Sequence, residues 1–193
     1  MMLRHVLPRA LLSALLLSVA PALAAQPAVR IAAAEQEREA GSSKADLKAF
    51  EQVKVPIRSA ISAASKHNGD GKVTEASFSV LRSGKAVYKV KTYQNNNAWE
   101  GMVDAQTGQV IGAGKSTPEF KLDDEDKAEL AGLRLATITL TQAVDAAETR
   151  DGGKAIAAGI EQVKGKVVFE VSIVKDGSVR KVVIDPQTGK IIN

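Results

Sequence analysis

Val103-Asp104-Ala105-Gln106-Thr107-Gly108-Gln109-Val110-Ile111 returns later in the chain as Ile184-Asp185-Pro186-Gln187-Thr188-Gly189-Lys190-Ile191-Ile192, at an offset of 81 residues. A single Asp-x-x-Thr-Gly turn matches easily by chance, so the flanks decide. The same offset places Val87-Tyr88-Lys89-Val90 on Val168-Phe169-Glu170-Val171. Upstream the offset widens to 83. There Ala60-Ile61 meets Ala143-Val144, Ala63-Ala64 meets Ala146-Ala147, and Lys44-Ala45-Asp46-Leu47 meets Lys127-Ala128-Glu129-Leu130. Blocks in one order at nearly constant spacing mark an internal duplication. The step from 83 to 81 gives the first copy two additional residues, expected between helix and first strand at residues 67–72. The copies then span about 42–112 and 125–193, with 113–124 as a linker.

Each copy reads as a short lead helix, a main helix and a run of strands. Ser42 or Ser43 can cap a helix over 44–53, and Asp123 or Asp124 can cap its counterpart. Pro56 suits the first turn of the main helix, where Ile57, Ala60, Ile61 and Ala64 recur at helical spacing. Leu140, Ala143, Val144 and Ala147 repeat that stripe behind a Thr139-x-x-Gln142 capping box. Gly69 and Gly152 stand where the helices should end. Ala76, Phe78 and Val80 then alternate over 73–81, and Tyr88 and Val90 over 86–93. Asn95-Asn96 and Asp176-Gly177 fit two-residue hairpin loops, because Asn, Asp and Gly tolerate positive φ. The hairpins lead into strands at 98–104 and 178–185, and the Asp turns into short final strands at 110–111 and 191–192. Helices followed by antiparallel strands predict an α+β fold: two repeated modules, each with a helix packed on an antiparallel sheet.

The first residues read as an export signal. Arg4, His5 and Arg9 precede a short apolar run, and Pro21-Ala22-Leu23-Ala24 offers a cleavage site after Ala24. The expected segments are therefore a signal at 1–24 and a flexible stretch at 25–41. No second long apolar run follows, so no integral span is expected after signal removal. Arg4 and Arg9 account for two of the 26 basic residues, which leaves 24 against 22 acids. That near balance argues against a nucleic-acid or anionic-lipid partner. The chain has no cysteine, so each copy must rely on its core, and a unit of about 70 residues is marginal alone.

Motifs that hint at chemistry have plainer readings. In the Asp turns, Asp104, Thr107 and Gly108, with Asp185, Thr188 and Gly189, are expected as structure: Asp bonds nearby backbone amides and Gly takes a left-handed position. Gly112-Ala113-Gly114-Lys115-Ser116-Thr117 lacks the first glycine of a phosphate loop, since Gln109 stands there; it reads as a flexible connection. Lys66-His67-Asn68-Gly69-Asp70-Gly71 faintly matches a calcium loop, but with Gly71 as the sixth position the first and twelfth are Lys66 and Ser77, which lack the needed carboxylates, so a helix-to-strand turn is expected. Asp123-Asp124-Glu125-Asp126 suits a helix N-terminus better than a metal. With His5 leaving in the signal, His67 is the only histidine, and neither Gly-x-Ser-x-Gly nor His-Glu-x-x-His occurs. No catalytic residue, metal or cofactor is expected. Trp99 and Tyr93 are the conspicuous aromatics. With Asn95-Asn96 as loop, Trp99 pairs with Thr92 on the core face, while Tyr93 falls on the opposite face with Lys91 and Glu100.

An Ala-rich amphipathic helix, a Tyr/Phe-x-Val strand and a Val/Ile-Asp-x-x-Thr-Gly-x-Val/Ile ending together resemble the PepSY domain, twice over. That resemblance implies a helix on an antiparallel sheet and a role in binding or restraining peptidases. The expectation is a periplasmic or secreted, non-catalytic module that engages a protein or extended peptide. Strand addition at an open sheet edge is one route, unless the two modules cover their edges by pairing with each other. The alternative is a structural or sensory envelope protein without inhibitory activity. Tyr93 and Trp99 are the candidate contact residues.

Overall fold

A computed structural model describes residues 43–163 and 165–192; the expected signal at 1–24 and the segment 25–41 lie outside the described residues. The duplicated pattern folds as a duplicated order of elements. The first copy gives α1 (Lys44–Glu51), α2 (Ile57–His67), β1 (Lys72–Val80), β2 (Ala86–Gln94), β3 (Asn97–Asp104) and β4 (Val110–Pro118). A short 3-10 turn (Glu119–Lys121) leads into α3 (Asp124–Leu135), α4 (Leu140–Asp151), β5 (Lys154–Val163), β6 (Lys166–Lys175) and β7 (Ser178–Ile184).

The expected caps form. Ser43 Oγ accepts from the Asp46 amide, Asp123 from the Asp126 amide, and Thr139 with Gln142 completes the capping box. Pro56 stands one position earlier than predicted, as the N-cap of α2 rather than in its first turn. Gly69 (φ 62°) and Gly152 (φ 67°) turn the chain after the two main helices. Asn95 and Asn96 both have positive φ, as a tight hairpin between twisted strands requires.

The modules do not form separate sheets. One antiparallel sheet of seven strands runs in the order β4-β3-β2-β1-β5-β6-β7. Its centre is the pairing of β1 with β5, where Glu75, Ala76 and Ser77 face Gly159, Ala158 and Ala157. Ala76 and Ala158 are equivalent positions of the two copies, since β1 and β5 also share a bulge, at Val73/Glu75 and Ala155/Ala157. A local two-fold axis perpendicular to the sheet therefore passes between them. It keeps α2 and α4 on one face and explains why they lie side by side, with Arg58 Nη1 2.8 Å from Asp145 Oδ1. Under them runs one continuous core. Ile57, Ala60, Ile61 and Ala64 cover Phe78, Tyr88 and Val90, while Leu140, Ala143, Val144 and Ala147 cover Phe169, Val171 and Ile173.

The register also places the inserted residues. Offsets are 83 across the helices, 82 across β1 and β5, and 81 from β2 and β6 onward. One extra residue lies in the turn before β1, as expected; the other is in the β1–β2 hairpin.

The first half of the expected linker is strand. Residues 113–118 belong to β4, which pairs with β3 from Asn97↔Pro118 to Val103↔Val110. Its Gly-rich sequence serves a bulge rather than a flexible connection. Glu100 pairs with Lys115 and Met102 with Ile111, so Gly112, Ala113 and Gly114 stand opposite Gly101. The bulge, Lys115 and Pro118 all discourage further strand addition at this edge. The counterpart of β4 in the second copy is reduced to a bridge between Ile184 and Ile191.

Tyr88 shows how the copies differ within the shared frame. Val55 and its counterpart Ile138 enter the main helices by donating to the carbonyls of Ala105 (3.1 Å) and Pro186 (3.3 Å). Tyr88 adds a bond from its hydroxyl to the Val55 carbonyl at 2.8 Å, which Phe169 cannot make. Burial, then the charge of Glu148, pushes the Tyr88 hydroxyl far above its usual range, so it remains a donor. Tyr88→Phe leaves that carbonyl without this partner and is expected to cost about 1 kcal/mol, read as a lower urea midpoint at unchanged slope.

Candidate functional site

The two Asp turns are near copies. Asp104 Oδ1 accepts from the amides of Gln106 (2.8 Å) and Thr107 (3.0 Å), and Asp185 Oδ1 from those of Gln187 and Thr188 (both 2.8 Å). Gly108 (φ 74°) and Gly189 (φ 70°) supply the left-handed position. Thr107 and Thr188 each accept from the amide two residues on. The Lys85 ammonium at 2.9 Å, with the two amide bonds, holds the Asp104 carboxyl down at about 2. Oδ1 of each Asp and the hydroxyl of each Thr are taken by amides of their own turn, and Asp104 Oδ2 by Lys85, so the bonds these groups make are those of folding.

Trp99 is 5% exposed, as its pairing with Thr92 predicted. Its ring passes over Gly101, its Nε1 donates to the Ala113 carbonyl at 2.9 Å, and His67 lies 5.2 Å away between ring centroids. The indole is committed to the module's own interior and presents no contact surface.

Tyr93 is different. It sits near the end of β2 on the face opposite Trp99, at the corner where the β2–β3 hairpin, the 3-10 turn and the end of α3 meet. Its hydroxyl donates to Glu119, while Arg134 Nη2 lies 2.9 Å from Glu119 Oε1 and its guanidinium lies 5.7 Å from the tyrosine ring centroid. The bonds from Tyr93 and Arg134 lower the Glu119 carboxyl, against a smaller opposing effect of burial. Burial first, and then the carboxylate of Glu119, raises the Tyr93 hydroxyl. Immediately beside this ion pair stand two large apolar side chains in water: Phe120, 78% exposed, and Leu135, 65% exposed. An open depression here is lined by Asn96, Glu119, Phe120 and Lys127. Polar groups that satisfy one another next to exposed apolar ones can be covered by a partner at low desolvation cost.

Behind the corner lies a buried charge cluster. Lys91 Nζ is 2.5 Å from Asp126 Oδ1 and 3.6 Å from Glu129 Oε2. Burial alone would lower the Lys91 ammonium, but the Asp126 bond and the charges of Glu129, Asp126 and Glu75 raise it above its usual range. Burial raises the Glu129 carboxyl as well, to about 7; Lys91 opposes this and Glu75, Asp126 and Glu161 reinforce it.

Of the two aromatics singled out by sequence, the structure brings only Tyr93 to a surface corner. Phe120, Glu119, Arg134, Lys91 and Glu129 were not anticipated. A signal for Phe120 exists: it is one of four phenylalanines, and in the charged stretch 119–127 only Leu122 is a second large apolar residue.

Two helix-on-sheet modules in tandem, sharing one antiparallel sheet, define an α+β class of duplicated domain. Residues 54–113 and 137–193 match the family of peptidase propeptide and YPEB domains. The chain belongs to this PepSY family, with two copies as the duplication predicted. No curated protein matches the chain. Among solved structures, that of a putative lipoprotein from Clostridium difficile 630 is similar: 23% identical, covering 74% of this chain and 93% of that one, with a TM-score of 0.43.

Proposed function

We propose that the protein is an exported, non-catalytic binding module that engages a protein or extended peptide at the Tyr93–Phe120–Arg134–Leu135 corner, with peptidases as the first partner class to test. The observation that carries this reading is the exposure of Phe120 and Leu135, the residues next in sequence to Glu119 and Arg134 of a self-satisfied Tyr93–Glu119–Arg134 cluster. Aromatic and arginine side chains of this kind dominate binding energy at protein interfaces. Membership of a family named for peptidase propeptides supports the partner class. Export is supported by the N-terminal sequence, and among the described residues no helix is long and apolar enough to cross a membrane.

The test mixes residues 25–193 with a panel of secreted metallopeptidases and measures residual activity. Dose-dependent loss with at least one enzyme is expected, weakened about tenfold or more by Phe120→Asp at unchanged thermal stability. Unchanged activity across the panel would remove the inhibitory reading. Binding without inhibition would favour a structural or sensory envelope role.

A further inference from the structure

We propose that the depression beside Phe120 receives the free C-terminal residue of an extended peptide, with the carboxylate on Lys127 and Asn96 and an apolar last side chain on the Phe120 ring. This rests on the corner being a binding surface and names the chemical group that surface selects.

Asn96, Glu119, Phe120 and Lys127 line the depression. Their polar groups divide by what is already bonded. The oxygens of Glu119 are taken by Arg134 Nη2, at 2.9 and 3.0 Å, and by the Tyr93 hydroxyl. Its charge is therefore matched within the protein, and it does not stand as a bare carboxylate against an incoming one. What remains is a set of donors. Lys127 Nζ reaches Asp124 Oδ1 at 3.8 Å, beyond hydrogen-bond length. Asn96 Oδ1 lies 3.5 Å from the Tyr93 hydroxyl, and among the described residues its Nδ2 makes no bond. An ammonium and a side-chain amide that line one opening lack acceptors, and a carboxylate supplies an oxygen to each. A second ammonium, Lys121 Nζ, stands 5.7 Å from the Phe120 ring centroid and adds to the positive field. Of the acids that open α3, Asp123 caps the helix and Asp126 is bonded to Lys91. The one that competes for Lys127 is Asp124, whose carboxylate is fully exposed, and so hydrated a pair holds weakly.

The apolar half of the site selects the source of the carboxylate. At a chain terminus the carboxylate and the last side chain leave the same Cα. One residue then brings acceptors to Lys127 and Asn96 and an apolar group to Phe120, which is 78% exposed. An internal Asp or Glu brings only the acceptors, and the apolar group must come from a neighbour that points elsewhere along an extended chain.

Fluorescence anisotropy with residues 25–193 and labelled Gly-Ser hexapeptides reads this directly. The first probe ends in Leu with a free carboxylate, the second in Leu amide and the third in free Gly; the fourth is a Leu amide with Asp before the Leu. The first is expected to bind. Amidation, or loss of the Leu side chain, should each weaken binding about tenfold, and the internal Asp should not restore it. Lys127→Gln should cost the free acid about tenfold and leave the amide unchanged. Asp124→Asn should tighten the free acid about two- to threefold. In heteronuclear spectra the free acid should shift the Asn96 side-chain amide signals, and the amide should not. Binding indifferent to amidation, an internal Asp that replaces the terminus, or unchanged binding of the free acid by Lys127→Gln would overturn the proposal. So would the absence of binding by every probe. If Phe120→Asp still weakened peptidase inhibition in that case, the corner would stand as a docking surface and the carboxylate site alone would fall.

Discussion

Phe169→Ala is expected to destabilise the whole protein by about 3–5 kcal/mol, and Trp99, the single tryptophan and a residue of the other module, is expected to report the loss in full. Phe169 is completely buried, directly opposite Ile160 on one neighbouring strand and Ile184 on the other. Removing its ring leaves a cavity that the flanking strands cannot close without breaking register. The further expectation, that Trp99 senses it, depends on the seam. β1 and β5 share a short ladder, and one apolar cluster runs unbroken from Phe50 to Ile184. Loss of the second module would strip β1 of a neighbour and remove α3, whose Leu130 and Leu133 are part of that cluster. A remaining unit of about 70 residues has little stability of its own. Trp99 fluorescence and far-UV circular dichroism should therefore trace one urea transition, at a lower midpoint in the variant and with unchanged slope. A Trp99 transition that stays at the wild-type midpoint while the dichroism splits in two would show that the seam is too short to couple the modules.

What the sequence makes legible is local. The Asp-x-x-Thr-Gly turns, the capping box at Thr139 and the left-handed Gly69 and Gly152 are each specified by a few neighbouring residues, and each forms. The alternation of Ala76-x-Phe78 and Tyr88-x-Val90 places the core face correctly, and with it Trp99. The seam is not legible in the same way. Ala76 and Ala158 are small residues in the middle of their strands, and nothing beside them says which edge meets which. That pairing comes from the fit of two sheets and two helices around an axis, a property of no single segment. The Gly112–Ser116 region misled for a related reason: its glycines have the composition of a linker, but their role is fixed by an indole contributed from β3. The corner escaped because Tyr93, Glu119 and Arg134 come from three elements, and Lys91, alternating with core residues, reads as a solvated face until α3 is laid against it.

The indole in turn sets the second large effect. Gly101→Ala is expected to cost about 2–4 kcal/mol, far beyond the cost of one methyl group on an open strand. A Cβ at this position would stand 2.1 Å from Trp99 Cη2 and 2.3 Å from Cζ2, well inside contact distance. The ring has no route of retreat. On its far side the Gly114 backbone closes in so tightly that a Cβ there would lie 2.5 Å from Nε1, and His67 covers another flank. Movement of the ring also breaks its bond to the Ala113 carbonyl, the contact that pins the bulge of β4. A red-shifted Trp99 emission and a weakened near-ultraviolet dichroism should accompany the fall in midpoint. Gly159→Ala is the control: its Cβ would meet nothing nearer than 3.6 Å, so filling a strand glycine there should be neutral or slightly stabilising. Steric origin can be separated from a general intolerance of strand β3 by combining Gly101→Ala with Trp99→Phe. The smaller ring vacates the space the methyl needs, so the double variant should lose clearly less than the two single losses added together. Strict additivity would mean that Gly101 is required for the backbone of the bulge itself, and that the indole merely lies above it.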